Sequence, residues 1–135
     1  MGKVLIIGCG GVASVTIQKC CQVSNVFEEI CIASRTKSKC DELKEKLEGK
    51  TSTIITTAQV DADNLDQLIQ LINRVRPDLV MNIALPYQNL TIMDACLACN
   101  VSYLDTANYE PEDITDPKWR KVYERRLEEK GFSAY

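Results

Sequence analysis

The residues best suited to chemistry stand near the start of the chain, where Gly8-Cys9-Gly10-Gly11-Val12-Ala13 follows the apolar run Val4-Leu5-Ile6-Ile7. The spacing is G-x-G-x-x-A between a strand and a helix, the arrangement that receives the pyrophosphate of a dinucleotide. Gly8 permits the tight turn, Gly10 lets the backbone come close to a phosphate, and Ala13 lets the following helix lie on the strand. The unpaired N–H groups of that first helical turn then face an anion with the positive end of the helix dipole behind them. Glycines also mark purely structural turns, so the reading draws its weight from position: the loop falls in the first unit of a five-unit strand–helix alternation.

The choice of nucleotide is written at the end of the second strand. A site for NAD usually carries Asp or Glu there, about 20 residues past the glycine loop, to hold the ribose 2′-hydroxyl. This chain reads Ala33-Ser34-Arg35-Thr36-Lys37 instead. A carboxylate would repel a 2′-phosphate, whereas a hydroxyl beside a guanidinium and an ammonium binds one through charge-assisted hydrogen bonds. Ser34, Arg35 and Thr36 therefore predict NADP(H) over NAD(H); the plain alternative is that Arg35 and Lys37 open a solvated, charged helix. The missing carboxylate also counts against S-adenosylmethionine.

Other chemistries have less to work with. The seven cysteines, at 9, 20, 21, 31, 40, 96 and 99, include one C-x-x-C, Cys96-Leu97-Ala98-Cys99, with no second pair and no histidine in the chain. No metal site is expected; the thiols read as small apolar side chains of a reduced, cytoplasmic protein. A net charge of −3 argues against general nucleic-acid binding, which needs a dense basic surface. The apolar stretches are strand-sized, well short of the roughly 20 residues of a membrane span, and with Met1-Gly2-Lys3 running straight into a strand no signal peptide is expected. Without histidine, no general acid–base residue stands out, and no catalytic residue is assigned.

The elements that must position these residues follow from hydrophobic period. Strands are expected at 3–7, 29–33, 53–57, 78–84 and 102–104, and helices at 11–22, 37–47 and 89–99, with Gly49 closing the second. Between the third and fourth strands, Asp63 precedes a helix whose Leu65, Leu68, Ile69, Ile72 and Val75 fall on one face, and Pro77 closes it. Trp119, Val122, Tyr123 and Leu127 form the stripe of a last helix. The run 78–84, apolar on both faces after Asp78 apart from Asn82, suits a strand covered by helices on both sides. Five βα units in series predict a doubly wound parallel sheet, a Rossmann fold in three αβα layers, spanning residues 1–135 as one domain. Phe132 to Tyr135 reads as the entry to a sixth strand, so the chain is expected to be a fragment.

Four segments, Ile6-Ile7-Gly8-Cys9-Gly10-Gly11-Val12-Ala13-Ser14, Ala33-Ser34-Arg35-Thr36, Met81-Asn82-Ile83-Ala84-Leu85-Pro86-Tyr87-Gln88-Asn89 and Tyr103-Leu104-Asp105-Thr106-Ala107-Asn108-Tyr109-Glu110, together resemble the amino-terminal half of the saccharopine dehydrogenase family. The likeness is greatest to its saccharopine reductase and carboxynorspermidine dehydrogenase branch and runs over essentially the whole chain. It implies an NADPH-dependent oxidoreductase of polyamine or lysine metabolism that joins an amine to an aldehyde or keto acid reductively, or runs the reverse cleavage. Position by position, Gly8, Gly10, Gly11, Val12 and Ala13 match the pyrophosphate loop, and Ser34, Arg35 and Thr36 the 2′-phosphate grip. Asp61 matches the place where the adenine edge is met, or serves as a polar cap to the helix near Asp63. Ala84, Leu85 and Pro86 match the loop beside the nicotinamide, with Tyr87 either on the substrate side of it or a surface aromatic. Asp105, Thr106 and Tyr109 match the mouth of the substrate pocket; Asp105 either meets a substrate ammonium or shapes a turn. The resemblance also implies a large second domain after the sixth strand that carries most substrate contacts and the surface of a homodimer, and none of it is present here. The competing reading is a self-contained nucleotide-sensing module without catalysis; such modules typically keep the acidic residue that this chain lacks.

Overall fold

A computed structural model of the chain describes residues 2–106. Five strands, β1 (Lys3–Ile7), β2 (Glu29–Ser34), β3 (Ile54–Gln59), β4 (Leu79–Asn82) and β5 (Ser102–Asp105), alternate with four helices, α1 (Gly11–Cys21), α2 (Lys37–Leu47), α3 (Leu65–Val75) and α4 (Asn89–Ala98). The strands form one parallel sheet in the order β3-β2-β1-β4-β5. The order reverses between β1 and β4. In a doubly wound sheet the crevice for a ligand lies at that reversal, outside the carboxyl ends of the strands.

Alternation along each strand feeds two separate cores. Val4, Ile6, Ile30, Ile32, Ile55 and Met81 point to the face covered by α1 and α2, through Ala13, Ile17, Cys20, Cys21, Cys40 and Leu43. Leu5, Ile7, Cys31, Ala33, Ala58 and Val80 point to the other face and meet Leu68, Leu71 and Ile72 of α3 and Ile92, Ala95 and Cys96 of α4. The fold is thus the expected three-layer α/β sandwich. Five of the seven cysteines are buried in these cores, all seven are free thiols, and burial pushes the pKa values of Cys20, Cys21, Cys31 and Cys99 upward. No helix among the described residues is long and apolar enough to cross a membrane.

Most boundaries fall where the hydrophobic period puts them, and the departures have physical causes. The third strand begins at Ile54 and runs to Gln59 because Glu29 to Ser34 of β2 supply six partners for it. Thr53 is instead spent on the turn before it, its hydroxyl donating to the Phe27 carbonyl at 2.7 Å. The fourth strand stops at Asn82 rather than 84, because the Asn82 side-chain oxygen accepts the Ala84 N–H at 3.0 Å and turns the chain out of the sheet into a 3-10 turn over Pro86–Gln88. On α3, Leu71 joins the buried stripe while Leu65, at the first turn, is exposed. The α3 N-cap is Asn64, whose side chain accepts the Gln67 N–H at 3.1 Å, and Arg76 ends the helix in a left-handed conformation just before Pro77. Gly49, with φ +78°, follows α2 in the left-handed position that favours glycine. The expected last helix and sixth strand lie outside the described residues.

Leu68 is fully buried between α3 and the sheet. Leu68→Ala should cost about 3 kcal/mol of stability through lost burial and the cavity left behind. Urea denaturation followed by circular dichroism measures this, and a loss under about 1 kcal/mol would mean that α3 is not packed as described.

Candidate functional site

A cleft of about 470 Å³ opens at the reversal of strand order. Its floor is the glycine loop, which leaves β1 under a tight constraint. Gly8 has φ +121°, and its N–H donates to the Ala33 carbonyl at 2.9 Å, continuing the pairing with β2 past the end of the strand. A Cβ on Gly8 would lie 2.5 Å from the Ile83 carbonyl oxygen and 2.8 Å from its carbon. Both the backbone angle and the neighbouring chain therefore exclude any side chain.

Gly10 and Gly11 are glycines for a different reason. Neither has a positive φ, and a Cβ on either would meet no protein atom within 4 Å. Nothing inside the described chain requires glycine at these positions; the space over them is cleft. Gly10 is the N-cap of α1 in an extended conformation, no side chain caps the helix, and its first turn contains no acidic residue. The N–H groups of that turn consequently have no intrahelical acceptor. Ala13 is buried against the β1 and β2 side chains, as close packing of helix on strand requires. Cys9, between the glycines, keeps its proton at neutral pH: burial, and then the neighbouring Cys40 thiol, raise its pKa to about 11. The loop thus places no negative charge beside an incoming phosphate.

At the end of β2, the Ser34 hydroxyl donates to the Thr36 carbonyl at 3.0 Å, accepts the Thr36 N–H at 3.2 Å, and lies 3.3 Å from the Cys40 sulfur. Its local role is to close the turn that presents Arg35. The Arg35 carbonyl accepts from the Gln59 amide at 3.2 Å, anchoring the loop to β3, while the guanidinium forms no hydrogen bond or ion pair among the described residues. Ser34, Arg35 and Thr36 all line the cleft, and so does Lys39, which the sequence reading did not single out.

The wall between these two loops is apolar. Val60, Ala62, Ile83, Ala84 and Leu85 line it. Gln88, also at the cleft and buried, donates to the Asp63 carboxylate at 3.0 Å and so ties the turn after β4 to the loop after β3. Asp61 does not line the cleft, although Val60 and Ala62 on either side of it do. Its carboxylate accepts the Asp63 N–H at 3.0 Å, a turn just ahead of α3. Pro86 and Tyr87 stand in the 3-10 turn, away from the lining, and Asp105 and Thr106 stand at the end of β5, likewise away from it. Tyr109 lies outside the described residues.

A polar network supports the β4 and β5 ends. The Asn82 amide nitrogen donates to the Asn89 side-chain oxygen at 2.7 Å and to the Tyr103 hydroxyl at 3.1 Å, and Tyr103 donates onward to Asp105 Oδ2 at 2.8 Å. Burial, and then the adjacent Asp105, hold the Tyr103 phenol well above its ordinary pKa, against the opposing pull of the Asn82 bond. Asn82 was legible only as a polar break in an apolar run and Asn89 only as the start of a helix; the network they form was not. Among the described residues no group of three or more potential metal ligands comes together.

A cleft at the switch point of a parallel sheet, with bare backbone on one side and unpaired cations rather than a carboxylate on the other, belongs to dinucleotide-binding domains that take a phosphorylated ribose. The model of the saccharopine dehydrogenase NADP-binding domain matches residues 4–132, and the chain belongs to that family. Its cofactor is accordingly NADP(H), and the residues fit it: the open space above Gly10 and Gly11 is where a pyrophosphate would lie. The chain is 41% identical over 136 residues to a carboxyaminopropylagmatine dehydrogenase from Synechocystis sp., covering 99% of this chain and 33% of that protein. It is 43% identical over 110 residues to a carboxynorspermidine synthase from Vibrio cholerae, covering 78% of this chain and 27% of that one. The chain thus spans about a third of the length of these relatives. A saccharopine dehydrogenase (L-Glu forming) from Saccharomyces cerevisiae shares the fold, with a TM-score of 0.66 at 14% identity over 85% of this chain and 23% of that one.

The two kinds of glycine separate experimentally. Gly8→Ala should lose about 2–4 kcal/mol of stability from the backbone strain and the clash. Gly10→Val should cost about 1 kcal/mol or less in stability, yet weaken NADPH and NADH alike by at least roughly tenfold, about 1.4 kcal/mol. Denaturant melts and nucleotide titrations of the two variants check this, and comparable stability losses would contradict the distinction.

Proposed function

We propose that this chain is the NADP(H)-binding domain of an oxidoreductase acting on CH–NH groups, which joins an amine to an aldehyde or keto acid reductively in polyamine metabolism. The observation that carries the reading is the pairing of Gly10 and Gly11, bare toward the cleft, with an unpaired Arg35 where NAD sites usually carry a carboxylate. The names of the relatives favour a polyamine-type substrate, and their greater length favours a further part of the polypeptide; that this part supplies most substrate contacts and a homodimer surface is what the family resemblance implies. When bound, NADP(H) would supply the hydride that reduces a C=N bond between the two substrates.

The chain's own residues then divide the work. Backbone N–H groups of Gly11, Val12 and Ala13 hold the pyrophosphate; Ser34 shapes the turn from which Arg35 and Thr36 meet the 2′-phosphate. An adenine ring has an apolar seat at Val60 and Ala62, with Asp61 bracing the loop beneath it. Ala84 and Leu85 steer the nicotinamide end, and Pro86 fixes the turn behind them. Tyr87, Asp105, Thr106 and Tyr109 belong to the substrate side, where Asp105 Oδ1, without a partner among the described residues, is available to a substrate ammonium. The reactants are small molecules, and the reading involves neither nucleic acid nor membrane.

Parallel calorimetric titrations test the cofactor half of this reading. NADPH should bind at least roughly tenfold tighter than NADH, and Arg35→Ala should weaken NADPH by about 1.5–3 kcal/mol, the scale of a charged hydrogen bond, with little change for NADH. Equal losses for both nucleotides would remove the 2′-phosphate assignment. In the polypeptide that joins this domain to its substrate half, NADPH consumption should require an amine and a carbonyl compound together; consumption with a carbonyl alone would point to simple carbonyl reduction.

A further inference from the structure

We propose that Lys39, rather than the adjacent-looking Lys37, is the second cation of the 2′-phosphate site and helps set the preference for NADPH over NADH. This rests on the reading of the cleft given above. In sequence the two lysines look interchangeable, and Lys37, directly after Ser34-Arg35-Thr36, looks the better placed. On a helix they are not equivalent, because two residues correspond to about 200° of rotation and so to opposite sides.

Lys37 is turned away and neutralised. Its Nζ lies 3.0 Å from both carboxylate oxygens of Asp41, one helical turn on. The same carboxylate accepts the hydroxyl of Thr57 from β3. That bond, and then the Lys37 ammonium, hold the Asp41 carboxyl below the usual carboxylate range, so it stays ionised and keeps Lys37 engaged at neutral pH. Lys39 has no such partner: it lines the cleft with Arg35 and forms no ion pair among the described residues.

Charge balance then selects the ligand. A phosphate monoester carries about −1.5 to −2 charges at pH 7, and Arg35 supplies one positive charge toward it. Arg35 and Lys39 together supply two, whereas adding Lys37 would overshoot. Cations at the first turn of a helix also oppose its dipole. The first turn of α2 has no acidic residue, and its N-cap, Thr36, makes no side-chain capping bond. Without a ligand this end of the cleft is therefore a like-charge arrangement, and a dianion relieves it. A ribose 2′-hydroxyl, as in NADH, gains nothing from it.

The test is titration with NADPH and NADH of the parent protein and of Lys39→Ala, Lys39→Arg, Lys37→Ala and Arg35→Ala, with thermal melts confirming that every variant folds. Lys39→Ala should weaken NADPH about fivefold to twentyfold, below a fully buried charged bond because the side chain is exposed, and leave NADH within about twofold. Lys39→Arg should retain most of the NADPH affinity, and Lys37→Ala should change it by less than about twofold. A loss for Lys37→Ala equal to or greater than that for Lys39→Ala overturns the proposal, as does an equal effect of Lys39→Ala on both nucleotides. If Arg35→Ala discriminates between the nucleotides and Lys39→Ala does not, the Lys39 assignment fails while the 2′-phosphate reading stands. If neither discriminates, both fail.

Discussion

Gly8 sits where the chain leaving β1 runs beside the chain leaving β4, and a single methyl group there would press on the Ile83 carbonyl oxygen from 2.5 Å. The approach is close because pairing runs on past the strand ends: Ile7 pairs with Ala33 on one side and Asn82 on the other, and the Ile83 N–H still donates to the Ile7 carbonyl at 2.8 Å. A bulkier residue would force the two loops apart and with them the two ends of the cleft. The hydrogen bond from the Gly8 N–H to the Ala33 carbonyl fixes the same point to β2, so one residue sets the spacing of three loops. Gly10, Gly11 and the start of α1 inherit their position from it, which is why bare backbone can be presented to a ligand without being loose.

Electrostatics then decides what that backbone receives. The chain is acidic overall, with a net charge of −3, yet the cleft end near β2 is locally positive. Two devices maintain the contrast. Arg35 and Lys39 remain without ion-pair partners among the described residues, and burial keeps the Cys9 thiol protonated. A carboxylate after β2 would reverse the preference by repelling a phosphate while accepting from a ribose hydroxyl. Specificity here comes from what the position omits as much as from what it holds.

Much of this was legible in the sequence. The glycine loop, the parallel sheet and its two helix layers follow from spacing and alternation, and ten of the expected cofactor positions, from Gly8 to Leu85, line one cleft. What spacing could not supply was rotation and tertiary competition. Lys37 and Lys39 share a segment with Asp41 one turn after Lys37, but the Thr57 hydroxyl that fixes that carboxylate arrives from β3, and only the fold shows which side of α2 meets the cleft. Asp61 has the right type for a ligand contact, and nothing in its spacing shows that one of its carboxylate oxygens accepts the Asp63 N–H two residues on or that it stands outside the cleft lining. The fourth strand looks seven residues long because its apolar run continues through Ala84; the Asn82 side chain ends it sooner by competing for the Ala84 N–H.

That competition has a functional consequence. An apolar residue at position 82 would suit the buried end of β4 and avoid the cost of desolvating an amide. Asn82 instead makes three bonds, to Ala84, Asn89 and Tyr103, and Tyr103 carries the chain on to Asp105. Each bond by itself adds about 1 kcal/mol to stability, and together they hold the buried Asn82 side chain in one arrangement. The segment so fixed is the loop that carries Ala84 and Leu85 into the cleft, together with the β5 end that carries Asp105. A binding site needs its groups held to within a fraction of an ångström, and loops on their own do not offer that precision. Polar groups at the ends of β4 and β5 therefore do for the Ala84–Leu85 side of the cleft what the missing side chain of Gly8 does for the glycine-loop side: they leave the loop one place to be.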